Sequence, residues 1–471
     1  MEHEKRQTVS DGHEMTYDQA VEYVLGIGRF SKKNSLKNTR TLLDGLGAPD
    51  EGFNIIHVAG TNGKGSVCGY IDSILRSAGH SVGLFTSPHL FRINERIKIN
   101  GTDITDEAFL RSFLKVKSVS DRLEKTGCYI PTFFEFVFLI AMDAFWEAGI
   151  EYAVLETGLG GRLDATNAVR EKEAAVITSI DLDHTEILGN TFPEIAAEKA
   201  GIIGAGAPVI YLNDKPEVSS VIENTARERG SLAISVTPGE SFRAECESGA
   251  TRVRMKEGLK FTLDTPALFQ AENAALAVTA AEAVSSGREE GAVPGDDLRI
   301  APETIAAAVE SAKRPCRMQE IMPDVYVDGA HNPAAIRGLC ETISRIGKGR
   351  PAVLLFAAMK DKNYPEMIKI IKCSGCFEKI IVTGLSSERA ASADELRAEF
   401  LKCDAGSGRT EAAESDAGSS GRAEAAESVA GGIIAAENAA DGFARALQIQ
   451  KEYGGLCVCA GSFYLPGEIR G

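Results

Sequence analysis

The feature that most constrains the fold is a glycine-rich segment between a strand pattern and a helix pattern. Asn54 to Val58 is a short apolar run, Gly60 to Ser66 reads GTNGKGS, and Val67 to Ala78 carries apolar residues on one helical face. A strand, a glycine-rich turn and a helix in this order are typical of a phosphate-binding loop. Backbone amides converge there on a helix N-terminus, which has partial positive charge.

This segment differs from a standard P-loop. The standard pattern has glycine six residues before the lysine, where Val58 stands, and a hydroxyl directly after it, where Gly65 stands. Lys64 is still placed to meet phosphate oxygens, and the hydroxyl of Ser66 can reach magnesium. The alternative is an ordinary turn with a solvated lysine. The coincidence of strand, glycines, lysine and helix favours phosphate binding.

Short apolar strands alternate with helices along the chain, which implies crossover units and a mostly parallel sheet. Strands are predicted at Val82 to Phe85, Tyr152 to Leu155, Ala175 to Ile180 and Ala207 to Leu212, and helices at Phe133 to Glu147, Pro193 to Ala200 and Ala271 to Val284. A second strand series lies at Val325 to Asp328, Ala352 to Phe356, Ile380 to Thr383 and Leu456 to Ala460. We therefore predict an α/β fold with a catalytic domain over 1–312 and a smaller Rossmann-like α/β domain over 313–471.

Composition limits the partners. The chain of 471 residues has a net charge of -16 and a pI near 5.1, so an anionic nucleic acid or membrane surface would repel it. Met1 to Ser10 is charged and lacks the apolar core of a secretory signal, and no stretch has the apolar length of a membrane span. We expect no nucleic acid or membrane partner and a cytoplasmic location.

The ten cysteines offer one metal alternative. Cys373 and Cys376 form C-x-x-C, and Cys457 and Cys459 form C-x-C, which together could supply four zinc ligands. The second pair alternates with apolar residues in a predicted buried strand. Core packing is therefore the simpler interpretation.

A second cluster of polar residues follows two predicted strands. Glu156 to Asn167 reads ETGLGGRLDATN, and Asp181 to Glu186 reads DLDHTE. Acids at the carboxyl ends of parallel strands lie where open α/β sheets bind ligands, so Glu156 and His184 could converge on a magnesium site. The alternatives are that such acids cap helices and that the histidine is packed or on the surface.

Six motifs taken together resemble one family. They are GTNGKGS at Gly60, TSPHL at Thr86, ETGLGGRLDATN at Glu156, DHTEILG at Asp183, EKAGI at Glu198 and DGAHNP at Asp328. The ordered set is similar to folylpolyglutamate synthase and dihydrofolate synthase, within the Mur ligase superfamily. The resemblance implies a Mur-ligase-like central domain with a phosphate-binding loop and a C-terminal glutamate-ligase domain.

The resemblance also implies roles for individual residues. ATP would contact Gly60, Thr61, Asn62, Gly63, Lys64, Gly65, Ser66, Asn273, Arg317 and Asp328. Magnesium would be held by Ser66, Ser87, Glu156, His184 and Lys199, the last as a carbamate. Lys64, Lys199 and His184 would be the catalytic residues. The other substrates would contact Thr132, Phe133, Phe134, Glu135, Leu163, Asp164, Ala165 and His331, although Phe133 and Phe134 could equally belong to a helix core.

The chain departs from the family around Arg317. The family commonly has Trp-Pro-Gly-Arg, whereas this chain has Arg314-Pro315-Cys316-Arg317. Cysteine takes positive φ less freely than glycine, so the loop conformation is in question at Cys316.

The implied reaction makes an amide from a carboxylate. The γ-phosphoryl group of ATP passes to the acceptor carboxylate, and the amine of L-glutamate attacks the acyl phosphate to release phosphate. The acceptor, dihydropteroate or folate or both, is left open, and a monomer is expected. Two rival classes are a Mur-type cell-wall ligase and a non-catalytic nucleotide-binding switch. Acceptor-dependent phosphate release separates an enzyme from a switch.

One segment has the composition of a low-complexity insertion, which we place at 403–442. Residues 404–415 read DAGSGRTEAAES and 416–428 read DAGSSGRAEAAES, an acidic tandem duplication with too little apolar surface to offset ordering entropy.

We predict that deleting Asp404 to Ser428 leaves ligase activity close to that of the full chain, because the segment offers neither core nor catalytic residues. Steady-state rates and thermal melting of the two chains would be compared. Loss of folding would show that the segment is structural.

Overall fold

The computed structural model describes residues 15–28, 35–127, 130–286, 299–405 and 432–469, which form two α/β bodies and a small antiparallel sheet. The α-helices are α1 (Tyr17–Gly26), α2 (Leu36–Gly45), α3 (Lys64–Ser77), α4 (Asp106–Glu124), α5 (Phe133–Ala148), α6 (Thr185–Leu188), α7 (Phe192–Ala200), α8 (Pro216–Glu228), α9 (Phe269–Ser286), α10 (Pro302–Ser311), α11 (Pro333–Gly347), α12 (Tyr364–Ser374), α13 (Ala393–Ala405), α14 (Ala439–Tyr453) and α15 (Leu465–Glu468). The β-strands are β1 (Asn54–Ala59), β2 (Val82–Phe85), β3 (Ile97–Ile99), β4 (Thr102–Asp103), β5 (Tyr152–Glu156), β6 (Ala174–Ile177), β7 (Val209–Leu212), β8 (Ala233–Val236), β9 (Phe242–Glu247), β10 (Ala250–Met255), β11 (Lys260–Leu263), β12 (Gln319–Met322), β13 (Val325–Val327), β14 (Ala352–Phe356), β15 (Lys379–Val382), β16 (Ile433–Ala435) and β17 (Leu456–Ala460).

The first sheet has eight strands in the order β4-β3-β2-β5-β1-β6-β7-β8. All neighbours from β2 to β8 pair in parallel, and only the β3 and β4 edge is antiparallel. Strand β1 lies between β5 and β6 and is buried from its second residue onward, because helices cover both faces. The predicted mostly parallel α/β architecture is confirmed.

Helices form a layer on each side of this sheet. On one face, α3, α9 and α10 pack in a single apolar cluster with side chains of β1 and β5. On the other face, α5 is apolar around most of its circumference because α1, α4 and the sheet enclose it. This double cover fixes the carboxyl end of β1, where the glycine-rich loop begins.

The second sheet has six strands in the order β12-β13-β17-β14-β15-β16, all parallel except the β12 edge. It confirms the smaller C-terminal α/β unit. Cys457 and Cys459 are fully buried in β17, whereas Cys373 is exposed on α12. Within the described residues no group of three or more His, Cys, Asp or Glu is placed to hold a metal, so the zinc alternative has no structural support.

A three-stranded antiparallel sheet of β9, β10 and β11 was not predicted. Burial alternates along β10 and β11, as period-two patterning requires. Ser248 and Gly249 both have positive φ, at 53° and 82°, and form the two-residue turn between β9 and β10. The turn signal was present in the sequence.

Several element limits differ from the predictions. Helix α3 begins at Lys64, not Val67, so Lys64 and Ser66 belong to its first turn. Strand β6 ends at Ile177, because the next residue, Thr178, turns its hydroxyl to donate to the carbonyl of Asn62 at 2.6 Å.

The proposed domain boundary at 312/313 lies between α10 and β12. Residues 406–431 of the acidic duplication lie outside the described residues. The range expected for the insertion, 403–442, nevertheless includes the end of α13, all of β16 and the start of α14, so it was set too wide. Among the described helices, none has the length and apolarity to cross a membrane.

Candidate functional site

The glycine-rich loop leaves the carboxyl end of β1 and enters α3. Gly63 is the residue before α3 and has φ of 88°. A Cβ added to Gly63 would lie 2.2 Å from Oδ1 of Asn273, and one added to Gly60 would lie 1.7 Å from Oγ1 of Thr178. Both positions therefore need glycine, because buried neighbours press directly on the loop backbone.

Two cavities adjoin the loop. The smaller, of about 130 Å³, contains Lys64, Ser87, Glu156, Gly158, His184, Lys199, Arg317, His331 and Phe463 in its wall. The larger, of about 350 Å³, contains Ser66, Phe269, Glu272, Asn273, Arg317, Asp328, His331 and Gly338. Asn62, Gly63, Arg317 and His331 line both cavities, so the two spaces meet at the loop.

Lys64 folds back over its own loop. Its Nζ donates to the carbonyl oxygens of Gly60 at 3.0 Å and Thr61 at 3.2 Å. Burial lowers the pKa of Lys64, while the Glu156 carboxylate opposes that shift. The ammonium group thus lies in a site of low dielectric, where its attraction for phosphate oxygens is strong.

Ser66 and Glu156 provide oxygen atoms close to the loop. Both residues are 3% exposed, and Ser66 Oγ has no hydrogen-bond partner among the described residues. Glu156 Oε2 accepts from the backbone N–H of Ser87 at 2.9 Å, and burial raises the pKa of Glu156 although Lys64 opposes it. An unpaired buried hydroxyl beside a buried carboxylate suits a hard divalent cation such as Mg²⁺.

His184 precedes α6 with φ of 52°, an unusual conformation for a non-glycine residue. Its Nε2 accepts a hydrogen bond from Lys362 Nζ at 2.9 Å. Lys362 also lies 3.4 Å from both carboxylate oxygens of Asp183. Burial, followed by the Lys362 ammonium, lowers the pKa of His184, so the imidazole is neutral and able to act as a ligand.

Lys199 is 3% exposed in the last turn of α7. Its Nζ donates to the carbonyl oxygen of Gly60 at 2.8 Å, which brings it under the glycine-rich loop. Burial, and then the nearby Lys64 ammonium, lowers the pKa of Lys199 to about 7. Lys199 is therefore directed at the site, not toward the end of its own helix.

Three residues from the C-terminal unit complete the site. The Arg317 guanidinium lies 4.4 Å from the ring centroid of Phe463, a cation–π contact that fixes its position. Asp328 accepts from the backbone N–H groups of Met318 at 2.7 Å and Ala330 at 2.8 Å, and burial raises the pKa of Asp328 to about 6. Asp328 thus orders the backbone between Arg317 and the start of α11.

His331 lies between the two cavities. Nδ1 donates to the Gly329 carbonyl oxygen at 2.8 Å, and burial lowers the pKa of His331 to about 3. The neutral ring therefore has Nε2 available as a hydrogen-bond acceptor.

The residues expected to contact the acceptor are dispersed. Phe133 is buried in the α5 core, Thr132 caps α5, and Glu135 accepts from the backbone N–H of Thr132 at 2.7 Å. Phe134 is the exception, because its ring presses on Gly158 in the wall of the smaller cavity.

The other acceptor segment has a structural task. Asp164 is 5% exposed and accepts from the N–H groups of Gly158 at 2.9 Å and Leu159 at 2.8 Å. Leu163 is 39% exposed, and Ala165 is buried. Asp164 holds the glycine-rich turn after β5 in shape, while the Leu163 side chain is available at the surface.

The sequence analysis did not identify Asp183, Lys362 or Phe463. Lys362 follows β14, whose carboxyl end faces the same cleft, so the rule for ligand sites in open sheets could have indicated it. The contact between Lys362 and His184 joins residues 178 positions apart, which no local pattern reveals.

Two family models match the chain. The Mur ligase middle domain matches residues 58–281, and the Mur ligase glutamate ligase domain matches residues 314–463. The fold and the phosphate-binding loop therefore define a ligase of the Mur type, with its nucleotide loop in one domain and Arg317 in the other.

Individual relatives narrow the assignment. The dihydrofolate synthase/folylpolyglutamate synthase of Bacillus subtilis strain 168 is 36% identical over 368 residues, which cover 75% of this chain and 82% of the relative. The Escherichia coli K12 protein of the same description is 33% identical over 344 residues, 73% of this chain and 75% of the relative. The chain belongs to the folylpolyglutamate synthase and dihydrofolate synthase family.

Solved structures agree over nearly the whole chain. E. coli FolC in complex with DHPP and ADP has a TM-score of 0.77 at 27% identity and covers 97% of both chains. Mycobacterium tuberculosis folylpolyglutamate synthase complexed with ADP has a TM-score of 0.80 at 25% identity, covering 96% of this chain and 97% of that one.

We predict that Gly63→Ala weakens nucleotide binding at least about tenfold, because the new Cβ collides with the buried Asn273 amide and the positive φ is strained. Titration calorimetry with an ATP analogue would measure the change. Gly69→Ala is the matched control, since it lies on α3 with nothing within 4 Å of the added Cβ. Equal affinities in both variants would contradict the prediction.

Proposed function

We propose that this chain is an ATP-dependent ligase that joins L-glutamate to dihydropteroate, to the glutamyl chain of folate, or to both. The reaction passes through an acyl phosphate and yields ADP and phosphate. The observation that carries the proposal is the meeting of two cavities at the phosphate-binding loop. A nucleotide in the larger cavity would present its terminal phosphate to a carboxylate in the smaller one.

The larger cavity has the features of a nucleotide site. Its phosphate end is formed by Gly63 and Ser66, next to Arg317. Farther along, the cavity runs between Phe269 and the small residues of α11, including Gly338, where an added Cβ would lie only 3.4 Å from the Phe269 ring. This narrow apolar slot suits a planar base. The ADP complexes of the related structures support the same assignment.

Cationic side chains around the loop would stabilise phosphoryl transfer. Lys64 from the loop, Arg317 from the linker and Lys362 from the C-terminal unit surround the point where the cavities meet. Their charges offset the negative charge of the terminal phosphate and of the approaching carboxylate. Because these groups are fixed before reaction, little reorganisation accompanies the step.

A magnesium ion fits the oxygen atoms described above. Ser66, Glu156 and His184 would hold it, with Ser87 and a carbamylated Lys199 as further ligands. When bound, the ion supplies positive charge to the phosphoryl oxygens. His184 must then exchange its hydrogen bond with Lys362, which frees that ammonium for Asp183 or for a substrate anion.

The acceptor would enter by the turn after β5. Phe134 lies against Gly158 in the cavity wall and offers an aromatic surface beside the reacting carboxylate. His331, with Nε2 free to accept, lies on the opposite wall and can receive the ammonium of the incoming glutamate. We carry the monomeric state and the cytoplasmic location as parts of the same proposal.

Purified protein, ATP, L-glutamate and each acceptor would be incubated, and the products resolved by mass. Gain of one glutamyl residue with release of phosphate supports the proposal and shows which acceptor is used. ATP binding without acceptor-dependent phosphate release would favour the nucleotide switch. Activity on a nucleotide-linked sugar peptide alone would favour a cell-wall ligase.

We predict that Lys64→Ala lowers the ligation rate by about a hundredfold or more, because a fixed charge on the reacting phosphate is removed. The melting temperature should stay near that of the wild type, since Lys64 bonds only to carbonyls of its own loop. Lys369→Ala, at a lysine with 65% side-chain exposure, serves as the control. A near wild-type rate for Lys64→Ala would refute the assigned role.

We predict that Lys199 is carbamylated. A pKa of about 7 leaves much of the amine neutral, and this form adds CO₂ to give a carbamate and a released proton. Incubation with ¹³C-labelled bicarbonate should give a carbamate NMR signal that Lys199→Ala lacks. That variant should lose most activity, and short carboxylic acids should restore part of it. A bare ammonium with nucleotide and magnesium bound would disprove the carbamate.

A further inference from the structure

Asn332 joins three parts of the chain through one buried amide. It precedes α11 and is 1% exposed. Its Oδ1 accepts from the backbone N–H of Ala335 at 2.9 Å, which caps the helix, and from Asn62 Nδ2 at 3.3 Å. Its Nδ2 donates to Asn62 Oδ1 at 2.9 Å and to Asp183 Oδ2 at 3.1 Å. Both amide donors and both acceptor positions are engaged.

These contacts connect the phosphate-binding loop to the loop that carries His184. Asn62 is inside the GTNGKGS segment, and Asp183 immediately precedes His184 and accepts from its backbone N–H at 2.9 Å. The bridging residue belongs to neither loop, since Asn332 is in the C-terminal unit, 270 residues after Asn62. The two loops are thus linked through the opposite domain.

The Asp183 carboxylate receives a second donor from the same domain. Lys362 lies 3.4 Å from both of its oxygens. Burial disfavours the ionised carboxylate, but the Lys362 ammonium outweighs it and the pKa of Asp183 is lowered. An ionised Asp183 is therefore a strong acceptor that both C-terminal donors can reach only when the two domains are docked.

We infer that Asn332 is a positioning residue, which sets the phosphate-binding loop and the Asp183–His184 loop in register only when the C-terminal domain closes on them. Phosphoryl transfer would then require the closed arrangement. The inference rests on the proposed ligase function. Misplacement of reacting groups by about 1 Å can cost about a hundredfold in rate, so one buried amide is enough to impose this requirement.

A purely local role is the competing explanation. Asn332 could matter only as the N-cap of α11, as Asn438 does for α14, where Oδ1 accepts from Asp441 N–H at 2.9 Å. Serine is also a good N-cap but is too short to reach Asn62 or Asp183. Asn332→Ser therefore keeps the cap while removing the links between the loops, and Asn438→Ala removes a cap alone.

The first experiment compares Asn332→Ser, Asn438→Ala and the wild-type full chain. We expect Asn332→Ser to lower kcat by about tenfold to a hundredfold while its melting temperature stays close to that of Asn438→Ala. Asn438→Ala should keep the wild-type kcat. A wild-type kcat for Asn332→Ser, or equal losses in both variants, would overturn the inference.

The second experiment measures closure without turnover. Small-angle X-ray scattering with a non-hydrolysable ATP analogue should show a more compact wild-type protein on nucleotide addition and a smaller change for Asn332→Ser. An identical compaction would overturn the inference. Because this readout needs no acceptor, a wild-type protein that closes but does not ligate would contradict the proposed function while leaving the positioning role intact.

A double-mutant cycle with Asn62→Ala tests the named contact. If Asn332 acts through Asn62, the second substitution should add less than about threefold to the loss of kcat caused by the first. Independent, multiplying losses would show that Asn332 acts elsewhere.

Discussion

The structure depends on the close approach of the phosphate-binding loop to its neighbours. Gly60 lies against Thr178 and Gly63 against Asn273, at separations that leave no room for a Cβ. The Thr178 hydroxyl also donates to the carbonyl of Asn62. These contacts place the start of α3, and with it Lys64, between the two cavities. The position of the loop therefore follows from packing of β6 and α9, not from its glycines alone.

The site gathers charges that a folded protein ordinarily avoids burying. Lys64, Lys199, Glu156 and Asp328 are all shielded from water, and burial shifts the pKa of each toward the neutral form. Such a cluster costs stability, because no partner fully replaces the lost hydration. Groups of this kind occur mainly where a ligand supplies the missing charge. The anionic phosphates and divalent cation of the proposed reaction would do so.

Much of the architecture could be predicted because its signals are local. The strand, glycine turn and helix from Asn54 onward, and the buried strands at 352–356 and 456–460, follow from short apolar runs and glycine placement. The acceptor segment shows the limit of such reasoning. A motif identifies Asp164, but only the fold shows that its carboxylate binds its own backbone. Lys362 and Asn332 were missed because their contacts cross the domain cleft.

The linker before Arg317 shows how tertiary contacts override a local preference. Cys316 has φ of 57°, a conformation that glycine adopts more easily, yet the chain keeps a cysteine there. Its carbonyl accepts from the N–H of Gly329 at 2.8 Å, and its own N–H donates to Gln319 Oε1 at 3.1 Å. Both partners lie after the linker, in the C-terminal unit.

Those partners impose the backbone shape from outside, so the identity of residue 316 affects strain more than geometry. Arg314, at the position where the family commonly has tryptophan, places its guanidinium 5.1 Å from the ring centroid of Tyr70 on α3. A planar cation stacked on an aromatic ring can take over packing that an indole would provide. The linker is thus attached at one end to the helix of the phosphate-binding loop and at the other to the C-terminal sheet. Arg317 lies between these attachments, which explains how it reaches both cavities although the sequence around it has changed.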